Sequence, residues 1–253
     1  MIQELKKIRV GAVSYLNTKP LLYGINRSSV INKIELIEDY PSSIAQMLVD
    51  DKIDIGLVPV AIIPSLKESH IVTDFCIGAE QAVASVCLFS DVPIEEVEKV
   101  YLDYQSRTSI TLFKILIKEY WKKEVIIEDA KPGFQLEILG TTAGVVIGDR
   151  AFEQRKKSKY CYDLAEAWIN HTGLPFVFAA WVANKALSKE FIDEFNKANY
   201  LGITNIEHLI DDLEYDIYDL EKYYRKNISF NLTENKRKGL SLFLEKMNLL
   251  TDG

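Results

Sequence analysis

The sequence predicts a two-lobed α/β protein, and three observations predict it. Apolar strand-like and amphipathic helix-like segments alternate from the start of the chain, which is the pattern of a mainly parallel sheet covered by helices. The alternation starts again near residue 99. Two long apolar stretches without helical caps, QAVASVCLFS at 81–90 and PFVFAAWVA at 175–183, lie between and after the two units. The chain is therefore expected to build lobe one from 1–86 and 180–253, and lobe two from 87–179. The two crossings would then act as a hinge around a ligand cleft.

The elements follow in order. Ile8–Val13 is an apolar strand, and Pro20 can open a short helix to Ile25 because its missing N–H costs nothing in a first turn. Lys33–Glu38 alternates in the manner of a strand. Ser43 and Gln46 have capping-box spacing ahead of Ile44, Met47 and Leu48 on one helical face. Ile53–Val60 is mostly apolar and reads as a strand buried on both faces. In the second unit, Lys99–Asp103 is strand-like and Arg107–Trp121 is helical, with Leu112, Phe113, Leu116, Ile117 and Tyr120 on one stripe. Val125–Glu128 and Gly144–Gly148 are further strands. After Ala183 the chain turns helical, with Ser188, the Thr204/Glu207 pair and Thr233 as helix starts.

Composition narrows the function classes. The 253 residues carry a formal charge of −7, which disfavours nucleic acid as a main partner. No apolar run approaches the ~20 residues of a membrane span. The start, MIQELKKIRV, lacks the pattern of a signal peptide. Cys76, Cys87 and Cys161 are odd in number and far apart, which suits a reducing compartment, the cytoplasm, and no structural metal. The motifs of nucleotide-binding loops and of the serine hydrolase elbow are missing. His70, His171 and His208 have no metal-ligand spacing.

Polar groups gather at three strand ends, where open α/β sheets bind ligands. The first stretch runs through Ser14, Tyr15, Asn17 and Thr18. The second is Asp103–Ser109, with Ser106, Arg107, Thr108 and Ser109 at a helix start. The third is Gly148, Asp149 and Arg150. Hydroxyls and backbone N–H groups at a helix start, backed by its dipole, suit a carboxylate. Plainer readings stand beside these. Ser106 or Thr108 is also a good N-cap, Asn17 a good turn residue, and Asp149–Arg150 a plausible surface ion pair. Asp163 and Glu166 read as a helix start, and Trp168, Phe176, Phe178 and Trp181 as core.

Six segments, YLNTKPLLYG, DIGLVPVA, ASVCLFS, LDYQSRTSITLFKILI, VIGDRAF and DLAEAWINHTGLPFVFAAW, together resemble the menaquinone-biosynthesis family of the futalosine route, and within it the chorismate-dehydrating branch. The resemblance runs from about Arg9 to Asn184 and is weaker over the C-terminal helices. It implies the two-lobed fold of type II periplasmic binding proteins, used by an enzyme. It also implies a carbon–oxygen lyase reaction, loss of water from the dicarboxylate chorismate to give 3-(1-carboxyvinyloxy)benzoate, with no cofactor. On this reading Ser85 joins the donors. Asn17 orients the departing hydroxyl or the ether, since an amide both donates and accepts. The proton acceptor is either the enolpyruvyl carboxylate of the substrate or Asp149. Two alternatives keep the same fold: the sister enzyme that makes 1,4-dihydroxy-6-naphthoate, and a carboxylate-binding protein without chemistry.

Overall fold

The computed structural model describes residues 7–251. Among these residues, eleven strands make two sheets. The first contains β1 (Ile8–Val13), β2 (Ile34–Asp39), β3 (Ile55–Pro59), β4 (His70–Ala79), β10 (Phe176–Ala183) and β11 (Ser229–Asn231), in the order β11-β4-β10-β3-β1-β2. The second contains β5 (Val86–Ser90), β6 (Lys99–Leu102), β7 (Ile126–Asp129), β8 (Thr142–Ile147) and β9 (Tyr160–Asp163), in the order β7-β6-β8-β5-β9. The helices are α1 (Lys19–Asn26), α2 (Pro41–Val49), α3 (Arg107–Glu119), α4 (Arg150–Arg155), α5 (Leu164–Thr172), α6 (Lys189–Thr204), α7 (Ile206–Asp211), α8 (Leu220–Lys222) and α9 (Glu234–Thr251). The last three-residue helix before β11 runs on into a π-helical turn, Tyr223–Asn227.

Within each sheet only part of the pairing is parallel. Strands β1, β2 and β3 pair in parallel, as do β6, β7 and β8. Strand β10 runs antiparallel between β3 and β4, and β5 runs antiparallel between β8 and β9. These two inserted strands are the apolar stretches that flank the sheet changes. PFVFAAWVA is therefore a central strand rather than an extended crossing, and the return from the second sheet passes through α5. The outward passage is residues 80–85. Pairing puts Val86 in the second sheet and Phe176–Ala179 in the first, a few residues from the expected boundaries.

Burial follows the strand positions. Every residue of β3 and β5 is buried, as strands covered on both faces require, whereas β7 is an exposed edge. Helix α1 lies against α6 at backbone distance, because a Cβ added to Gly24 would stand 1.9 Å from the Ala198 carbonyl oxygen. Trp168, Phe176, Phe178 and Trp181 are core. Ser188 caps α6 through the Phe191 N–H, and Thr233 caps α9 through that of Lys236. The other two expected starts differ. Thr204 ends α6, its hydroxyl returned to the Tyr200 carbonyl, and α7 begins beyond Asn205. Ser43 lies inside α2 and donates to Asp39, because Pro41 already opens the helix two residues earlier.

Candidate active site

A cleft of about 540 Å3, counting its mouth, lies between the sheets. The three polar strand ends meet there. The loop after β1 supplies Tyr15, Asn17 and Thr18, the start of α3 supplies Ser106 and Ser109, and the end of β8 supplies Gly148. The outward crossing adds Ser85. Leu57, Ile147 and Phe178 form apolar walls, and no lining residue carries a formal charge.

Each polar group is held by its fold position. Ser106 caps α3, accepting from the Ser109 N–H at 3.3 Å and the Ser109 hydroxyl at 3.1 Å. Ser106 thus caps the helix and lines the cleft at once. Among the described residues no acceptor meets the Asn17 amide NH2, while its oxygen accepts from the Thr18 hydroxyl at 3.1 Å. The Ser85 hydroxyl accepts from the Tyr223 phenol at 2.8 Å. Gly148 takes a left-handed φ of +64°, which lets the Tyr15 ring pack directly on its backbone.

Four expected residues sit differently. Ser14 is exposed and faces a separate polar groove with Lys19, Arg27 and Asp212. Its place at the end of β1 turns its side chain to the opposite side from Val13, which lines the cleft. Arg107 is exposed on the outer side of α3. Thr108 is fully buried, and its hydroxyl accepts from the Ala61 N–H at 3.1 Å, tying the second lobe to the first. Asp149 lies just outside the lining and accepts from the Leu16 N–H at 3.2 Å. Burial pushes its carboxyl up, opposed by that N–H and by Lys19.

The neighbour Arg150 does not pair with Asp149. It reaches Asp103 at 2.7 Å and the Gln105 side-chain oxygen at 2.6 Å. Gln105 in turn accepts from the Tyr15 phenol, so an ion pair in the second lobe is linked to a ring from the first. Burial pushes the Tyr15 phenol far up, so it stays a donor. Asp103 is fully buried, and burial raises its carboxyl against the pull of Arg150.

Tyr223 and Tyr224 were not legible as site residues. Tyr224 donates to the Leu16 carbonyl at 3.0 Å, so Leu16 is held on its N–H by Asp149 and on its C=O by Tyr224. Both tyrosines come from the π-helical turn, a feature that often marks functional segments. Their sequence context, EKYYRKN, contains no spacing that points to a cleft. Among the described residues, no cluster of three or more His, Cys, Asp and Glu is placed to hold a metal. No helix among them is long and apolar enough to cross a membrane.

Comparisons with known proteins agree with this geometry. The chain is 24% identical to a chorismate dehydratase of Thermus thermophilus, with 95% of each chain covered. It is 26% identical to a chorismate dehydratase of Campylobacter jejuni, covering 95% of this chain and 97% of the relative. A solved protein of Archaeoglobus fulgidus superposes with a TM-score of 0.73 at 15% identity, covering 97% of this chain and 98% of that one. The periplasmic aliphatic sulphonate binding protein of Escherichia coli superposes with a TM-score of 0.61 at 13% identity, covering 98% and 92%. The fold is thus that of the two-lobed periplasmic binding proteins. The family described as menaquinone biosynthesis matches residues 8–248, and the chain belongs to it.

Proposed function

We propose that this protein removes water from chorismate to give 3-(1-carboxyvinyloxy)benzoate, as a carbon–oxygen lyase of menaquinone biosynthesis. The observation that carries the reading is the cleft lining: hydroxyls, one amide and apolar walls, with no titratable acid, base or thiol except the Tyr15 phenol. Such a site binds and orients a substrate that brings its own charges. Two relatives named chorismate dehydratase, aligned over 95% of this chain, support the same substrate.

The chemistry can be followed atom by atom. The proton leaves the ring carbon that bears the enolpyruvyl ether. Hydroxide leaves the neighbouring ring carbon, and the electron pair of the broken C–H bond completes the aromatic ring. The reaction is redox-neutral and driven by aromatisation, so it calls for no cofactor. The enolpyruvyl carboxylate takes the proton when the cleft holds it folded over the ring, an arrangement worth up to about 7–11 kcal/mol of barrier. Asp149 is the weaker candidate for the base. Its carboxylate is spent on Leu16 and is not part of the lining.

The chain's own residues supply the rest. Ser106, Ser109 and the first-turn N–H groups of α3 receive a carboxylate at the positive end of a 13-residue helix. The Asn17 amide donates to the departing hydroxyl. Ser85, its hydrogen-bond geometry fixed by Tyr223, completes the donor set. The sister reaction is understood to need a cleft histidine, but His171 pairs with Glu119 at 3.1 Å and does not line the cleft. Three free thiols fit a reducing compartment such as the cytoplasm.

The test is direct. Purified, metal-free protein is mixed with chorismate, and products are separated and weighed. Loss of one water, without added cofactor, is the expected result. Unchanged chorismate that still protects the protein against heating would instead make this a binding protein.

A further inference from the structure

A second group of reactive side chains lies on the far side of the outward crossing from the cleft. Strands β5 and β9 are antiparallel neighbours, with Cys87 opposite Asp163 and Phe89 opposite Cys161. Cys87 and Cys161 are therefore diagonal neighbours on one face, and Cys161 packs against the buried cluster that contains Cys87. Cys161 is partly exposed and lines a groove that also holds Arg155, Asp163 and Tyr218. Cys87 is fully buried behind it.

The surroundings are those of a reactive pair. Arg155 points a guanidinium nitrogen at the Cys87 sulfur from 3.2 Å. Its Nε is buried with no hydrogen-bond partner, a donor free to meet a thiolate or a sulfur-bound oxygen. The neighbouring Cys87 thiol, with Arg155 behind it, draws Cys161 towards the thiolate, whereas burial keeps Cys87 a thiol. A partly exposed thiol of lowered pKa beside a buried one is the division of labour of a redox couple.

The same atoms hold the crossing. Asp163 accepts from the Val83 N–H at 3.1 Å and the Ala84 N–H at 2.7 Å. Arg155 donates to the Ala84 carbonyl at 3.0 Å, and the Cys87 thiol lies 3.5 Å from that oxygen. Ala84 is thereby kept at a left-handed φ of +66°, costly for a residue with a Cβ. The next residue is Ser85, whose hydroxyl faces the cleft.

We propose that Cys87 and Cys161 are a dithiol–disulfide couple oxidised by hydroperoxides, and that closing it releases the crossing at Ala84 and displaces Ser85 from the cleft. The Cys161 thiolate attacks a peroxide oxygen, giving the sulfenic acid and hydroxide. The Cys87 thiol then attacks the sulfenic sulfur, the S–S bond forms, and water leaves. Diagonal strand neighbours have Cα atoms about 7–8 Å apart, beyond the usual 4.4–6.8 Å of a disulfide. The bond therefore pulls the strands and is easily reduced, which is the property of regulatory rather than structural disulfides.

The effect on turnover rests on the chorismate reading, but the couple itself does not. The experiment accordingly reads both. Reduced protein is treated with hydrogen peroxide and followed by intact mass, peptide mapping and hydrogen exchange, without substrate. The expected result is loss of two hydrogens, a Cys87–Cys161 cross-linked peptide, and faster exchange at Val83 and Ala84, all reversed by dithiothreitol. Cys161→Ser abolishes the mass change and Cys76→Ser does not. Chorismate turnover of the oxidised form falls by roughly ten- to a hundred-fold, the scale on which misplaced positioning groups act, and recovers on reduction. Peroxide that only adds oxygen to Cys161, with no cross-link, overturns the couple. A cross-link that leaves exchange at Val83 and Ala84 unchanged overturns the link to the crossing. If reduced protein does not turn over chorismate at all, the functional reading fails while the mass and exchange results still decide the couple.

Discussion

Asp149, in the second lobe, accepts a hydrogen bond from the backbone N–H of Leu16, in the first, at 3.2 Å across the mouth of the cleft. Tyr224 donates to the Leu16 carbonyl, so the peptides on both sides of Leu16 are held. On the proposed reading the carboxylate holds the two lobes together at Leu16 and the proton goes elsewhere. Asp149→Asn keeps an acceptor for Leu16 while removing a base. The expected result is a kcat within a few-fold of wild type and a moderate rise in KM. A general base, by contrast, contributes about 10²–10⁴-fold. A kcat loss of that size in steady-state assays would transfer the proton from the substrate's own carboxylate to Asp149.

Asn17 offers the opposite pattern. Its amide stands in the cleft on the loop after β1, with its oxygen occupied by Thr18. On the proposed reading its NH2 group meets the departing hydroxyl, whose charge grows only as the C–O bond breaks. Asn17→Ala should therefore lower kcat and kcat/KM together, by about 10²–10³-fold, the range for a lost oxyanion donor. Binding of the product or of unreacted chorismate, measured by calorimetry, should change far less. Equal losses in affinity and turnover would make Asn17 a simple binding residue.

How far the sequence led differs between fold and site. The alternation of strands and helices was enough for the two-lobed α/β fold, and each cleft loop was found because strand ends in such sheets gather ligand donors. Antiparallel β10 was missed because an apolar, uncapped segment looks the same whether it crosses between lobes or fills the centre of a sheet. At the site, residue type located the loops but did not orient side chains within them. Ser14 and Val13 are adjacent, and strand alternation sends one to solvent and the other to the cleft. Thr108 is buried under Ala61 while Ser106 and Ser109, on the same helix turn, line the cavity. Tyr223 reaches Ser85, and Tyr224 reaches Leu16, only through the tertiary return of the C-terminal segment. No local pattern encodes that return.

Gly148 gives a structural prediction with a functional readout. At φ +64° it occupies a region that costs most other residues roughly 1–2 kcal/mol. A Cβ there would also stand 3.1 Å from the Tyr15 ring. Gly148→Ala should lower the melting temperature by a few degrees, since each kcal/mol is worth about 2–4 °C in a chain of this size. It should also push Tyr15 off Gln105 and weaken substrate binding. Unchanged stability with unchanged KM would mean that the Tyr15 contact has no role in shaping the cleft.

The acid limb of stability should belong largely to Asp54. This buried carboxylate accepts from the Arg9 N–H at 2.8 Å and its guanidinium at 2.6 Å, and from Lys185 at 2.5 Å. Burial alone would raise it, but Arg9 and Lys185 outweigh burial and hold it well below the usual carboxylate range. A depressed carboxyl contributes its full stability above its unfolded value, near 4, and loses it as pH falls towards the folded one. Asp54→Asn should therefore cost about 1.5–3 kcal/mol at neutral pH, the range for hydrogen bonds to charged groups. The gap between variant and wild type should begin to close below pH ~4, where Asp54 of the unfolded chain takes up a proton that the folded protein still excludes. Urea unfolding of both proteins from pH 7 down to the acid transition would show the two curves converging. Parallel curves across that window would place the acid sensitivity in other carboxylates.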